Sequence, residues 1–187
     1  MGISGMNEKI GATIYSLARV LLWGFTHLIC SYRVSGRASL PTTGPLLIVA
    51  NHLSWYDPLL LGVVVRRRVW FLTKVELFRW PLVGWLARRT GQIPVQRRGS
   101  DRAALQQALL YLREGKAVVI FPEGTVERQE QMLAAHPGAA LLALRSGTPV
   151  LPFAHQGTRQ ILRFHGQWRP QVRVKIGRPY LPPSHKG

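Results

Sequence analysis

The sequence predicts an α/β fold: a largely parallel, mixed sheet flanked by helices, preceded by an N-terminal helix at a membrane interface. Three observations carry this expectation. Short apolar runs that read as buried strands alternate along the chain with stretches of helical period. Two of those runs end in polar loops, the usual place for chemistry in an open α/β sheet. The third observation is that residues 10–29 are mostly apolar.

From about Lys9 to Ser31, Leu17, Leu21 and Leu28 recur at helical spacing, interrupted by Arg19 and His27. The stretch is long enough to be weighed as a membrane span, but an arginine near its middle favours a helix lying in the interface. A helix packed on the domain fits the same residues. Trp23 and the flanking charge favour membrane contact. No small-x-small site follows, so no cleaved signal peptide is expected. Bulky Ile29 before Cys30 does not suit a lipoprotein site. Residues 1–6 are Gly-rich and expected to be frayed.

Residues 32–36 read as a short strand, and 40–45 as a turn dense in breakers. Residues 45–50 form a short apolar run, hence a buried strand. A buried helix then starts at Asp57-Pro58, with Asp57 expected at the N-cap and Pro58 at the first helical position. A strand over 69–73 precedes short helices over 74–78 and 81–87, the second started by Pro81. Trp80 and Trp85 in this region suit a membrane surface, an acyl-chain tunnel or core packing. Residues 91–98 read as a strand running into a basic turn. Ser100-Asp101 opens a helix to Arg113 with Leu105, Ala108, Leu109 and Leu112 on one face, closed by Gly115. Residues 116–121 are a buried strand, 137–146 a helix capped by Gly147, and 149–154 another strand. Residues 171–176 alternate cleanly, which predicts a half-exposed strand near an edge.

The 187 residues, 47% of them hydrophobic, suffice for one domain with an appendage. Residues 1–31 are assigned to the membrane-associating helix and 32–187 to the α/β domain. A single cysteine excludes an intrachain disulfide and fits a reducing compartment. The net charge of +17, from 25 Lys and Arg against 8 Asp and Glu, attracts polyanions: nucleic acid or an anionic membrane face. The arginines fall in small groups such as 66–68, 88–89 and 97–98, with no basic tail. No RNP-type aromatic pattern, zinc-ligand spacing or basic recognition helix is present. Nucleic acid is therefore not expected as a partner, although a basic nucleic-acid- or lipid-binding module without catalysis is the competing class.

His52 follows the strand over 45–50, five residues before Asp57. On one helix the two would stand about 140° apart, but across a strand-to-helix turn they can meet. A carboxylate on one imidazole nitrogen fixes the tautomer and leaves the other nitrogen as a base. Ser54, between them, is poorly placed as a nucleophile, so the hydroxyl that His52 would activate belongs to the substrate. The plainer alternative is a turn-capping histidine and a helix-capping aspartate. Phe121-Pro122-Glu123-Gly124-Thr125 also follows a strand, so Glu123 and His52 could share a cleft, with Gly124 permitting close backbone approach to a ligand. Arg97, just past another strand, could grip a phosphate through its fork. Glu123 would hold that arginine or accept from a substrate hydroxyl; a structural Arg–Glu pair fits equally. No metal is expected: there is no ligand cluster, and His155 and His165 lack evident partners.

Asn51-His52-x4-Asp57, Gly91-x-Ile93-x-Val95-x-Arg97, Phe121-Pro122-Glu123-Gly124-Thr125 and Thr148-Pro149-Val150-x-Pro152 stand in the order and spacing of the glycerolipid acyltransferase family. The chain resembles its bacterial 1-acyl-sn-glycerol-3-phosphate (lysophosphatidic acid) acyltransferase type over residues 45–155. Lys74-Val75-Glu76-Leu77 also looks like a family element. One position departs: Val126 stands where many members carry arginine, with Arg128 two further on.

The resemblance implies transfer of a fatty acyl group from acyl-CoA or acyl carrier protein to the sn-2 hydroxyl of lysophosphatidic acid, giving phosphatidic acid. The thioester is a co-substrate, and no cofactor is implied. His52 would be the general base and Asp57 its orienting partner. Arg97, Glu123, Gly124 and Thr125 would bind the acceptor's glycerol phosphate. Backbone N–H groups would hold the oxyanion. The Val126 departure keeps open another lysophospholipid, an ornithine lipid or a glycolipid as acceptor. The expected partners are the lysophospholipid, the thioester donor and an anionic membrane surface. The expected location is the cell membrane, peripheral or monotopic, on its cytoplasmic face.

Overall fold

The computed structural model describes residues 3–96, 101–126, 134–162 and 169–183. In chain order the elements are α1 (Ile3–Ile29), β1 (Ser31–Ser35), β2 (Leu46–Ala50), α2 (Asp57–Val64), β3 (Val69–Lys74) and α3 (Pro81–Thr90). They continue with β4 (Ile93–Val95), α4 (Arg102–Arg113), β5 (Ala117–Ile120), α5 (Pro137–Ser146), β6 (Val150–Gln156), α6 (Thr158–Leu162) and β7 (Gln171–Ile176). Short 3-10 turns cover Arg37–Ser39 and Val75–Arg79.

One sheet holds the seven strands in the order β1-β7-β6-β2-β5-β3-β4. Every neighbouring pair is parallel except β6 with β7. β2, β3, β4, β5 and β6 therefore present their carboxyl ends on one edge, and β1 and β7 run the other way. This is the mixed, mostly parallel α/β arrangement expected from the alternation of elements.

The core lies on both faces of β2 and β5. Leu46, Ile48 and Ala50 pack with Leu60, Leu61 and Val64 of α2. The intervening Leu47 packs with Ala104, Ala108 and Leu112 of α4 and Leu142 of α5. Helices cover these strands from both sides, so the strands are apolar throughout rather than alternating. β7 buries Val172, Val174 and Ile176 and exposes Arg173 and Lys175, which gives its clean alternation.

α1 packs along one side of the domain. A methyl built on Gly11 would come within 2.5 Å of the Arg89 carbonyl oxygen, so glycine is what admits α1 against the end of α3. Farther along, the Tyr15 hydroxyl accepts the Val69 N–H at 3.3 Å, and Thr26 and Cys30 are buried. The opposite side of α1 exposes Leu17, Val20, Leu21, Phe25 and Leu28. Trp80 and Trp85 are also exposed, which removes them from the core.

Several elements differ from expectation. The helix starts at Ile3, so residues 3–6 are helical rather than frayed. β4 is only three residues, because the Gln96 N–H leaves the ladder to donate to Asp101. β6 runs past Ala154 to Gln156 because β7 pairs with it antiparallel through His155 and Gln156. α6 was not anticipated.

Candidate active site

The connection from β2 to α2 wraps around one carboxylate. Asp57 is the first residue of α2, with Tyr56 as N-cap, so it sits one position inside the expected cap and Pro58 follows it at the second. The reason is visible in its bonds. Instead of capping forward onto the helix, Asp57 Oδ2 turns back and accepts the N–H groups of Leu53 at 2.6 Å and Ser54 at 2.7 Å. It also contacts His52 Nδ1 at 3.0 Å. The carboxylate is fully buried at a helix N-terminus, where the macrodipole favours an anion. The Asp57 N–H closes the loop onto the Ser54 carbonyl. Ser54 Oγ accepts the Tyr56 N–H, so this hydroxyl shapes the turn.

A carboxylate only accepts, so the proton in the His52–Asp57 contact sits on Nδ1 and Nε2 keeps its lone pair. The His52 ring stacks on Phe121 at 4.3 Å between centroids. The ring is thus fixed by a hydrogen bond at one edge and by an aromatic face from the end of β5.

β5 and β2 are neighbours, and their ends meet. Glu123 is buried, and its Oε1 accepts the His52 backbone N–H at 3.3 Å. Gly124 has φ 63°, and a Cβ there would lie 2.8 Å from the His136 ring. His136 packs close beside Gly124, and its backbone N–H donates to the Pro122 carbonyl. Thr125 is exposed beside it. Arg97 lies outside the described residues, as do Arg128 and His165.

Three further residues join the site. His155, at the end of β6, was weighed only as a metal ligand, and the structure gives it partners of another kind. It is buried, its Nε2 is 2.8 Å from the Asn51 carbonyl oxygen, and its Nδ1 is 3.7 Å from Asp57 Oδ1. Its backbone N–H and carbonyl pair with the Asn51 side-chain amide at 3.0 and 2.9 Å. Burial pushes this imidazole below the usual histidine range, with Asp57 pulling the other way. Arg159 of α6 donates from Nε to the Leu53 carbonyl at 3.3 Å. Lys74, ending β3, sits 5.9 Å over the ring of exposed Trp55. The alternation of β6 marks His155 as an inward position; nothing in the local sequence marks His136 or Arg159. Among the described residues no group of three or more His, Cys, Asp or Glu is placed to hold a metal ion.

A buried carboxylate, an imidazole oriented by it and a second carboxylate under the imidazole's backbone can serve acid–base chemistry, and among the described residues the nearby Ser54 hydroxyl is engaged in shaping the turn. Known proteins share this fold and much of this sequence. A family model described as Acyltransferase matches residues 31–156. The chain is 40% identical over 156 residues to a lyso-ornithine lipid O-acyltransferase of Pseudomonas aeruginosa, covering 80% of this chain and 58% of that protein. It is 29% identical over 126 residues to a 1-acyl-sn-glycerol-3-phosphate acyltransferase of Bacillus subtilis, covering 67% of this chain and 62% of that one. The crystal structure of the 1-acyl-sn-glycerophosphate (LPA) acyltransferase PlsC from Thermotoga maritima matches with a TM-score of 0.77 and 26% identity, covering 100% of this chain and 75% of that one. The chain thus spans about three-fifths of the length of these two curated relatives.

Proposed function

The chain belongs to the acyltransferase family, and we propose that it moves a fatty acyl group from acyl-CoA or acyl carrier protein to the hydroxyl of a lysolipid. The observation that carries this is the His52–Asp57 contact, which leaves the Nε2 lone pair as the base. His52 Nε2 takes the proton of the acceptor hydroxyl as its oxygen attacks the thioester carbonyl carbon. The tetrahedral adduct collapses, the carbon–sulfur bond breaks, and the leaving thiolate takes the proton back from His52. Asp57 stabilises the imidazolium in between, and such a base contributes roughly 10²–10⁴-fold. Arg97, Glu123, Gly124 and Thr125 bind the acceptor's glycerol phosphate, with Glu123 also bracing the base loop.

The first acceptor reading is the sn-2 hydroxyl of lysophosphatidic acid, giving phosphatidic acid. A second, lyso-ornithine lipid, is favoured by the name of the 40%-identical relative. An ornithine headgroup carries amine and carboxylate but no phosphate, so it would make different demands on Arg97.

We place the reaction at the cytoplasmic face of the cell membrane, with α1 lying in the anionic interface rather than crossing it. Contacts from Gly11 to Cys30 hold α1 to the domain along its length, while its outer face stays apolar. Arg19 turns to a cavity of about 360 Å³ shared with Arg37 and Arg66 rather than to that outer face.

The test is thioester-dependent transfer by purified protein in detergent with a panel of lysolipids. Release of free thiol with formation of the diacyl product, lost in His52→Ala, is the expected result. Absence of turnover with every acceptor and thioester would overturn the reading. The product formed tells the two acceptors apart.

A further inference from the structure

His155 stands against the pair just described, and the proposed transfer does not use it. The Asn51 carbonyl oxygen can only accept, so His155 Nε2 carries a proton. At 3.7 Å the His155 Nδ1 and Asp57 Oδ1 are beyond hydrogen-bond distance, and among the described residues neither atom has another hydrogen-bond partner. One carboxylate therefore meets two imidazoles, His52 bonded at Oδ2 and His155 standing off Oδ1. Among the described residues, the titratable groups that face His155 are Asp57 from α2 and His52 from the loop after β2. Its neighbour on β7 is apolar Val174, and Phe153 packs 6.3 Å away on its own strand. A neutral ring protonated at Nε2 turns its Nδ1 lone pair toward the carboxylate, and the mutual repulsion accounts for the stand-off.

We propose that His155 is a positioning residue for the His52–Asp57 pair, held neutral with its proton on Nε2, so that Asp57 Oδ1 receives no donor and the carboxylate charge stays available to His52. The role rests on the base reading above. While His155 is neutral, Asp57 gives its full charge to the imidazolium formed during transfer. A proton on His155 would place a donor on Oδ1 and a second cation beside the imidazolium that forms on His52, drawing the carboxylate charge away from it. Linkage is reciprocal: a proton on His52 depresses His155 by the same amount. The second part of the role is geometric. Three hydrogen bonds between Asn51 and His155 stitch the residue before the base to the end of β6.

Nitrogen-15 NMR of histidine-labelled full-length protein in detergent, with resonances assigned through the backbone, tests this without requiring turnover. The expected result is a neutral Nε2–H tautomer for His155 at neutral pH, and an upward shift of its titration midpoint in His52→Gln. The acid limb of log kcat against pH should report two protons in the wild type and one in His155→Gln, a variant that keeps a donor for the Asn51 carbonyl. A merely structural histidine would share the tautomer and the midpoint shift but would leave the acid limb of log kcat the same in wild type and His155→Gln. A proton on His155 Nδ1, or an unmoved midpoint in His52→Gln, would overturn the role while leaving the base reading intact. Full turnover by folded His52→Gln would overturn the base reading, and this role with it. If His155→Gln does not fold, the wild-type acid limb decides: two protons support the role and one overturns it.

Discussion

Glu123 Oε1 accepts the backbone N–H of His52 at 3.3 Å, a bond between the carboxyl ends of two neighbouring parallel strands. Both residues are buried, so the N–H has little water to turn to when the acceptor is lost. Glu123→Ala should cost about 1–3 kcal/mol, the penalty for an orphaned buried donor. Glu123→Gln keeps an acceptor at the same place and should stay closer to wild-type stability. Urea unfolding followed by circular dichroism measures both. Equal stability of the two variants would mean that this bond contributes nothing to the fold.

Asp57→Asn separates charge from geometry. The asparagine carbonyl can replace Oδ2 and still accept from Leu53, Ser54 and His52. Its amide then faces His155 Nδ1, which has a lone pair to offer. The fold should survive, while the imidazolium of His52 loses its counter-charge. Turnover is expected to fall by roughly 10²–10⁴-fold, on the scale of a general base made ineffective. A folded variant with near wild-type kcat would remove Asp57 from the mechanism.

The parts legible in the sequence were those fixed by local chemistry. A short apolar run followed by Asp57-Pro58 marked the β2–α2 connection, and Pro137 and Gly147 bracketed α5 at both ends. What stayed hidden depended on distant residues. The hydrogen-bond partner of His155, Asn51, lies 104 positions earlier in the chain. Periodicity gives the buried face of β7 but not its direction, and that direction lengthens β6. Asp57 lies one residue inside its expected cap because a carboxylate serves N–H groups ahead of it or behind it with equal ease, and only the folded loop decides.

Asp101 gives a prediction with a pH signature. It caps α4 by accepting the Ala104 N–H and holds the end of β4 by accepting the Gln96 N–H, so it brackets the connection that carries Arg97. These bonds hold its carboxyl below the ordinary value of 3.8. A folded pKa below the unfolded one adds stability above that value, and the gain disappears as pH falls through the lowered one. Asp101→Ala should therefore cost about 1 kcal/mol at neutral pH, the usual worth of such a cap. The gap to wild type should narrow in acid. Urea midpoints at neutral pH and about one unit below 3.8 would show it; a gap that stays constant would mean that the charged cap is not its source.

Val20, Leu21 and Phe25 lie on the face of α1 away from the domain and are 66%, 75% and 50% exposed. Tyr15, Thr26 and Cys30 on the inner face pack against the fold, so removing α1 outright would confound membrane release with unfolding. Replacing the three outer residues with glutamine leaves the inner face untouched. If α1 lies in the interface, each of the three forfeits about 1.5 kcal/mol of apolar burial, together roughly a thousandfold in partitioning to vesicles. Flotation with anionic liposomes reads this directly. Added salt should weaken wild type and variant alike, because the arginine contribution is common to both. Unchanged flotation of the folded variant would exclude the outer face of α1 as the membrane contact. The exposed Trp80, Leu82 and Trp85 would then be the surface to replace next.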